Sequence, residues 1–145
     1  MSISYIINNN DSTLTGQTIF GALSQGSGAI SSGINSHAEG QDTTAIGTSS
    51  HTEGSFTTAI GNSSHAEGAN TRASGQTSHS EGEQTKADGD YSHAEGILTT
   101  ASGFGSHSEG NGTTAIGNQS HAEGSSTTAS GNEAHAEGNT TIASG

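Results

Sequence analysis

Eight histidines stand 14 residues apart, at His37, His51, His65, His79, His93, His107, His121 and His135. Each is followed two residues later by a glutamate: Glu39, Glu53, Glu67, Glu81, Glu95, Glu109, Glu123 and Glu137. Imidazole and carboxylate in this pairing could exchange protons, ligate a cation or hold one another by hydrogen bonds. Catalysis is the weakest of these readings. Ser36 and His37 are adjacent, so on a strand they point to opposite faces, and repeated equivalent copies lack the single asymmetric pocket that catalysis usually needs. The chain is therefore read as a non-enzyme with no catalytic residue. Ligation within one strand is disfavoured because side chains at i and i+2 lie about 7 Å apart; a metal would have to bridge chains or successive repeats. No metal and no cofactor are assigned, and polar structural ladders are the expected role of the sixteen residues.

Their spacing demands a regular scaffold. From Ser36 the chain reads SHAEGQDTTAIGTS, SHTEGSFTTAIGNS and onward without insertion or deletion to Gly145. Each 14-residue unit holds two similar heptads, SHAEGxx and TxAxGxx, and a weaker version appears in Ala22-Leu23-Ser24-Gln25-Gly26 and Ala29-Ile30-Ser31-Ser32-Gly33. Composition alone points to disorder: only 26% of residues are hydrophobic, 3% are aromatic, and the formal net charge is -12. Fixed periodicity overrides that reading, because stacked repeats order one another through neighbour contacts. No cysteine is present to substitute for a core, and 14 acids against 2 bases disfavour nucleic acid and anionic membrane as partners. No apolar run is long enough to span a bilayer, and the first ten residues show no secretory-signal pattern.

A coiled coil is excluded despite the sevenfold spacing. Two glycines per unit would cost a helix roughly 2 kcal/mol, and there is no apolar seam. A strand fits instead. Alternation sends Ser, Ala and Gly of S-H-A-E-G to one side and His and Glu to the other. Glycine then supplies the positive φ for a turn, and two residues complete the corner. The expected fold is all-β: a parallel β-roll or solenoid with 14 residues per coil, two short sheets facing across an interior of Ser, Thr, Ala and Gly. About nine coils over residues 22–145, at about 4.8 Å each, make a short rod.

The paired S-x-A-x-G-x-x spacing, as in Ser36-His37-Ala38-Glu39-Gly40 and Thr43-Thr44-Ala45-Ile46-Gly47, resembles the head repeat of trimeric autotransporter adhesins. SHAEG-type repeats are also similar to those of phage-associated and Gram-positive surface fibre proteins. The resemblance covers residues 22–145 and implies a left-handed roll, with three rolls side by side as a homotrimer. The family's outward positions toward the trimer axis are often apolar; here one heptad carries His and Glu.

Comparison among the repeats suggests which face is buried in such a trimer. One second-heptad column reads Thr44, Thr58, Arg72, Lys86, Thr100, Thr114, Thr128, Ile142, a mixture expected of solvated positions. The same mixture breaks up any Thr-lined ice-binding face, and the calcium-roll signature GGxGxD is absent. The His and Glu columns admit nothing else from His37 to Glu137, so they are expected to line the trimer interface, hydrogen-bonded to one another. Such pairing would raise the histidine pKa and depress that of glutamate.

Residues 1–21 differ in character. Two β-prone runs contain Ile3, Tyr5, Ile6, Ile7, Leu14, Ile19 and Phe20. They form either a cap on the first coil or a connector that adds to the last coil of the next rod, which the repetition reaching Gly145 is expected to leave open. The expected function is a structural subunit of a trimeric surface fibre or appendage, assembling head to tail. The alternative is an adhesin head recognising host or surface ligands, with Phe56, Tyr91, Phe104 and Ile97-Leu98 as scattered corner candidates. The expected partners are copies of the chain itself and an unknown anchoring protein. The expected location is extracellular, on a cell or spore surface, or on a virion fibre.

Overall fold

The structure, a computed structural model, describes residues 21–145. The expected connector residues Ile3, Tyr5, Ile6, Ile7, Leu14, Ile19 and Phe20 lie outside the described residues. Among the described residues eighteen short strands alternate between two nine-stranded parallel sheets, and there is no helix. One sheet runs from Leu23–Gln25 through His37–Glu39 and His51–Ser55 to His135–Ala136. The other runs from Ile30–Ser31 through Thr44–Ala45 to Ile142–Ala143. Each coil gives one strand to each sheet, so nine coils of the expected parallel solenoid are present. We call the first the His–Glu sheet and the second the Thr–Ala sheet.

Register follows from the fixed period. His37 pairs with His51, His51 with His65 and Thr44 with Thr58, so each repeat position becomes a continuous column along the rod. The first coil keeps that register with different residues, placing Leu23 opposite His37 and Gln25 opposite Glu39. Alternation acts as expected: Ala38 and Ala45 are fully buried, while His37 and Glu39 face outward.

Among the described residues the buried side chains are all Ala, Ser or Thr. Alanines from the two sheets meet in clusters such as Ala59, Ala66 and Ala73, or Ala87, Ala94 and Ala101. Between clusters the His–Glu sheet carries a hydroxyl in the alanine column, at Thr52, Ser80 and Ser108. Ser80 and Ser108 hydrogen-bond Thr85 and Thr113, each at 2.7 Å. Small residues bury little apolar area, and the backbone compensates. His37 N–H donates to Ser50 O at 2.9 Å and Thr44 N–H to Thr57 O at 2.9 Å, a pattern repeated coil after coil. Dense inter-coil pairing satisfies the backbone groups that such a thin roll would otherwise leave buried and unpaired.

The two glycine columns do different work. From Gly40 to Gly138, φ in the first glycine column lies between +102° and +110°, the left-handed side that glycine tolerates. The column of Gly47 does not have positive φ, which corrects the expectation that glycine there makes the turn. Its constraint is space: a Cβ on Gly75 would lie 1.9 Å from the Gly89 carbonyl oxygen of the next coil. At both corners a left-handed residue ends the heptad, as at Ser49, Asn70 and Tyr91, with φ from +56° to +58°. Its N–H is tied to the preceding coil, as in Asn70 N–H to Ser55 O at 2.9 Å.

A second tie secures the corner that leads into the His–Glu sheet. The buried serine that begins the SHAEG heptad donates its hydroxyl to the carbonyl three residues back, as from Ser50 to Gly47 and Ser64 to Gly61, both 2.7 Å. Asparagine and aspartate side chains also bridge coils at the surface: Asn62 Oδ1 accepts from Thr48 N–H at 3.0 Å, and Asp90 Oδ1 from Gln76 N–H at 2.8 Å. These corner ties hold the strand ends that carry His and Glu.

Candidate functional site: a histidine and glutamate face

Parallel pairing in register places all eight histidines in one line on the outside of the His–Glu sheet. Successive rings stack with centroids 4.7–4.9 Å apart and planes within 10° of parallel, from His37 to His135. This spacing matches the separation of hydrogen-bonded strands. The glutamates form a parallel line beside them, and a shallow groove runs between the Glu and Gly columns from Glu67 to Gly138. Every expected ladder residue from His37 to Glu137 therefore falls on one face.

The ring nitrogens approach glutamates of two coils. His79 Nε2 lies 3.7 Å from Glu81 of its own coil and 3.2 Å from Glu67 of the preceding one. His107 Nε2 is 3.8 Å from Glu109 and 3.9 Å from Glu95, and His121 Nε2 is 3.9 Å from Glu123 and 3.8 Å from Glu109. Of these contacts, only the one between His79 and Glu67 falls within hydrogen-bonding distance. The Nε2 atoms of His51, His65, His93, His107 and His121 are shielded from solvent yet have no hydrogen-bond partner within the chain. The rings of His93, His107 and His121 as a whole remain about one-third exposed.

The electrostatics reverse the expected sign at three histidines. Burial, then the charge of neighbouring histidines in the stack, holds His51, His65 and His93 below the usual histidine value, and the nearby glutamates offset this only in part. Neutral imidazoles are thus favoured there, where pairing with glutamate was expected to favour the charged form. The glutamate line has its own tension, because like charges repeat along it. Hydrogen bonding with Glu67, reinforced by burial and by Glu39, pushes Glu53 up to about 7. Glu67 is held well below the usual carboxylate range, chiefly by hydrogen bonds with Glu53 and Glu81. One proton shared along the line relieves the repulsion.

Stacking also brings together donors that intra-strand spacing keeps apart. His65, Glu67 and His79 offer ligand atoms all within 4.8 Å of one another, as do His107, Glu109 and His121, and His121, Glu123 and His135. Glu39, His51 and Glu53, and Glu81, His93 and Glu95, form two further sets. The coil-to-coil approach, foreseen only as a condition for bridging, is what makes these sets. The hydroxyls of Ser36, Ser50 and Ser64 face the interior instead and are spent on corner carbonyls.

The outer face of the Thr–Ala sheet is unlike this. Its columns are mixed, with Ile46, Ile60 and Ile116 exposed, and Arg72 donating to both carboxylate oxygens of Asp88 at 2.8 Å across one coil. Two of the corner aromatics, expected to be scattered, are neighbours: Tyr91 and Phe104 meet edge to face at 5.3 Å, half exposed.

Coils of about 14 residues, a core of Ala, Ser and Thr, and a glycine column stacked backbone to backbone define the repeat. The family model of the YadA head domain repeat (2 copies) matches residues 24–50, 38–64, 53–78, 94–120 and 122–145, more than half of the chain. The chain belongs to the YadA head repeat family. A search of curated proteins gives no match. YadA head repeats are those of the trimeric autotransporter adhesin head, so the expected repeat type and solenoid stand. The YadA head family is a structural adhesin domain, not an enzyme family, its heads are surface exposed, and its members form trimers.

Proposed function

We propose that this chain is a structural subunit of a trimeric surface fibre, with three rolls packed through their His–Glu faces and successive trimers joined head to tail by residues 1–21. The observation that carries the reading is the unbroken line of stacked histidines whose buried Nε2 atoms lack partners within the chain. A polar atom shielded from water without a partner is costly, and a neighbouring roll would supply one. The single-sign glutamate line likewise favours a face completed by other groups. The demand is smaller on the Thr–Ala face, where Ser74 Oγ is in the same state but Arg72 and Asp88 satisfy each other.

Head-to-tail joining draws on the β-prone N-terminal segment, because a parallel sheet edge templates a further strand. Electron microscopy of the full chain beside residues 22–145 tests it. Filaments from the full chain and separate short rods from the shorter one are expected. Short rods from both would overturn the connector and leave residues 1–21 as a cap.

The adhesin-head alternative gains one specific observation: the Tyr91–Phe104 pair, with exposed Ile97 and Leu98 at the opposite type of corner, gives small apolar spots on an otherwise polar rod. If the rods do not polymerise, a glycan and matrix-protein screen of the wild type against a Tyr91→Ser, Phe104→Ser variant decides whether those spots bind. The surface location, whether cell, spore or virion, follows the fibre reading.

A further inference from the structure

We propose that the corner carrying Tyr91 and Phe104 binds a neutral hexopyranose glycan, stacking a sugar ring on the aromatic pair beside Gly105 and hydrogen-bonding it through Asp90 and Asn118. The site rests on the adhesin-head reading above, for which it names the class of ligand, and it holds whether or not the rods polymerise.

The 14-residue period sets successive corners side by side, and so brings the two rings together. Tyr91 is the second residue of its corner and Phe104 the first of the next, and they meet edge to face at 5.3 Å. This is the one contact between Tyr or Phe rings among the described residues, and the side chains stay 53% and 50% exposed. In such a pair the edge of one ring meets the face of the other, which leaves further ring faces to solvent. The apolar, slightly positive C–H face of a pyranose complements those electron-rich faces.

Gly105 supplies a second, independent observation. In its column Ser49, Thr77 and Gln119 hold the same left-handed backbone, with φ from +55° to +57°, so the +62° at Gly105 does not demand glycine. Crowding does not demand it either: a Cβ there would meet only Gln119 Cγ, at 3.8 Å. What this glycine does is leave one flank of Tyr91 clear. Tyr91 and Gln119 stand two coils apart, about 9.6 Å, and a sugar ring at van der Waals contact, about 4 Å from each, fits that interval. Polar groups frame it. Asp90 Oδ1 accepts from Gln76 N–H at 2.8 Å, and Asn118 Oδ1 accepts from Phe104 N–H at 3.1 Å. Those bonds fix both side chains, while the second Asp90 oxygen and the Asn118 amide N–H groups make no hydrogen bond among the described residues. An acceptor and a donor beside an aromatic platform suit sugar hydroxyls, which do both. Asp90 and the formal net charge of -12 disfavour sialylated, uronic and sulfated glycans.

The test applies the full-length chain to an array of neutral, sialylated and sulfated oligosaccharides with fibronectin and laminin spots. The neutral oligosaccharide giving the strongest signal is then titrated by calorimetry. Wild type is expected to bind neutral oligosaccharides and pass over the anionic ones. Tyr91→Ser and Phe104→Ser should each weaken that binding roughly tenfold or more. Gly105→Gln fills the flank with the side chain that Gln119 already carries in the same backbone conformation, and should weaken binding roughly fivefold or more. Leu98→Ser, on the other type of corner, should change nothing. Circular dichroism checks that each variant keeps its β-signal; Ser49 and Gln119 show that the column accepts the residues introduced at 91 and 105, so the test stays decisive if the Phe104 variant unfolds. Binding confined to anionic glycans, or binding that Gly105→Gln leaves at wild-type strength, would overturn the proposal. Capture of fibronectin or laminin through Tyr91 with no neutral glycan bound would overturn it and leave the adhesin-head reading standing, whereas silence across the whole array would sink both.

Discussion

The two outer faces of this roll are made by the same backbone and read very differently. On the His–Glu sheet, His37 to His135 and Glu39 to Glu137 are invariant from coil to coil, and the rings stack in one line. On the Thr–Ala sheet the corresponding positions pass from Thr44 to Arg72, Lys86 and Ile142, and polar needs are met locally, as between Arg72 and Asp88. A solenoid requires only that inward positions stay small. Uniformity on an outward face therefore needs a cause beyond folding, and the unpartnered Nε2 atoms indicate one: groups that the single chain leaves incomplete.

The largest expected effect lies beneath both faces. Gly75→Ala places a Cβ 1.9 Å from the Gly89 carbonyl oxygen, backbone against backbone, with no side chain able to give way. Urea unfolding should show a loss of about 4 kcal/mol or more; a loss under about 1 kcal/mol would mean that the glycine columns do not pack as described. Ser64→Ala comes next. It removes the 2.7 Å bond to the Gly61 carbonyl that fixes the corner leading into the histidine strand, and should cost about 1–3 kcal/mol. Ala134 occupies the equivalent place in the coil of His135.

Acidity should act on the His–Glu face. His51, His65 and His93 have folded pKa values below the ordinary 6.5, so the unfolded chain binds more protons as pH falls through that value. Their penalty is absent above the unfolded value and complete below the lowered folded values. Glu53 works in the opposite sense, because its value of about 7 lets the native chain keep a proton between 4.5 and 7 that the unfolded chain releases. Glu53→Gln removes this opposing contribution, so the urea midpoint of that variant should rise between about pH 5 and about pH 7.5 more steeply than that of the wild type. A midpoint that falls over this range in the Glu53→Gln variant would restore the charged-histidine picture. The smallest effect is expected on the other face, where Arg72→Ala breaks an exposed ion pair and should change stability by under about 1 kcal/mol.

Much of this architecture is legible in the residues. The repeat period and the S-x-A-x-G alternation carry the coil, the two sheets and the inward alanines, because strand alternation and strict register leave few other solutions. The role of the Gly47 column is not legible, since its constraint is a neighbour one coil away and not its own φ. The site is legible as a pattern but not as chemistry. Alternation places His and Glu on one face, yet the i to i+2 distance hides the approach of His79 to Glu67, which arises only when coils stack. The lowered values of His51, His65 and His93 escape the sequence for the same reason: stacking neighbours and burial belong to the assembled column, while the pairing with glutamate is visible in every repeat.

The measurement that bears most directly on the central claim is sedimentation equilibrium of the full chain beside two charge variants. Wild type should sediment at three times the 14.3 kDa chain mass, or a multiple of that where trimers join end to end. Glu95→Arg with Glu109→Arg, on the His–Glu face, should abolish the threefold mass, while Thr100→Arg with Thr114→Arg, on the Thr–Ala face, should leave the trimer intact. A monomeric wild type, or a trimer broken by the threonine variant and untouched by the glutamate one, would contradict assembly through the histidine and glutamate line.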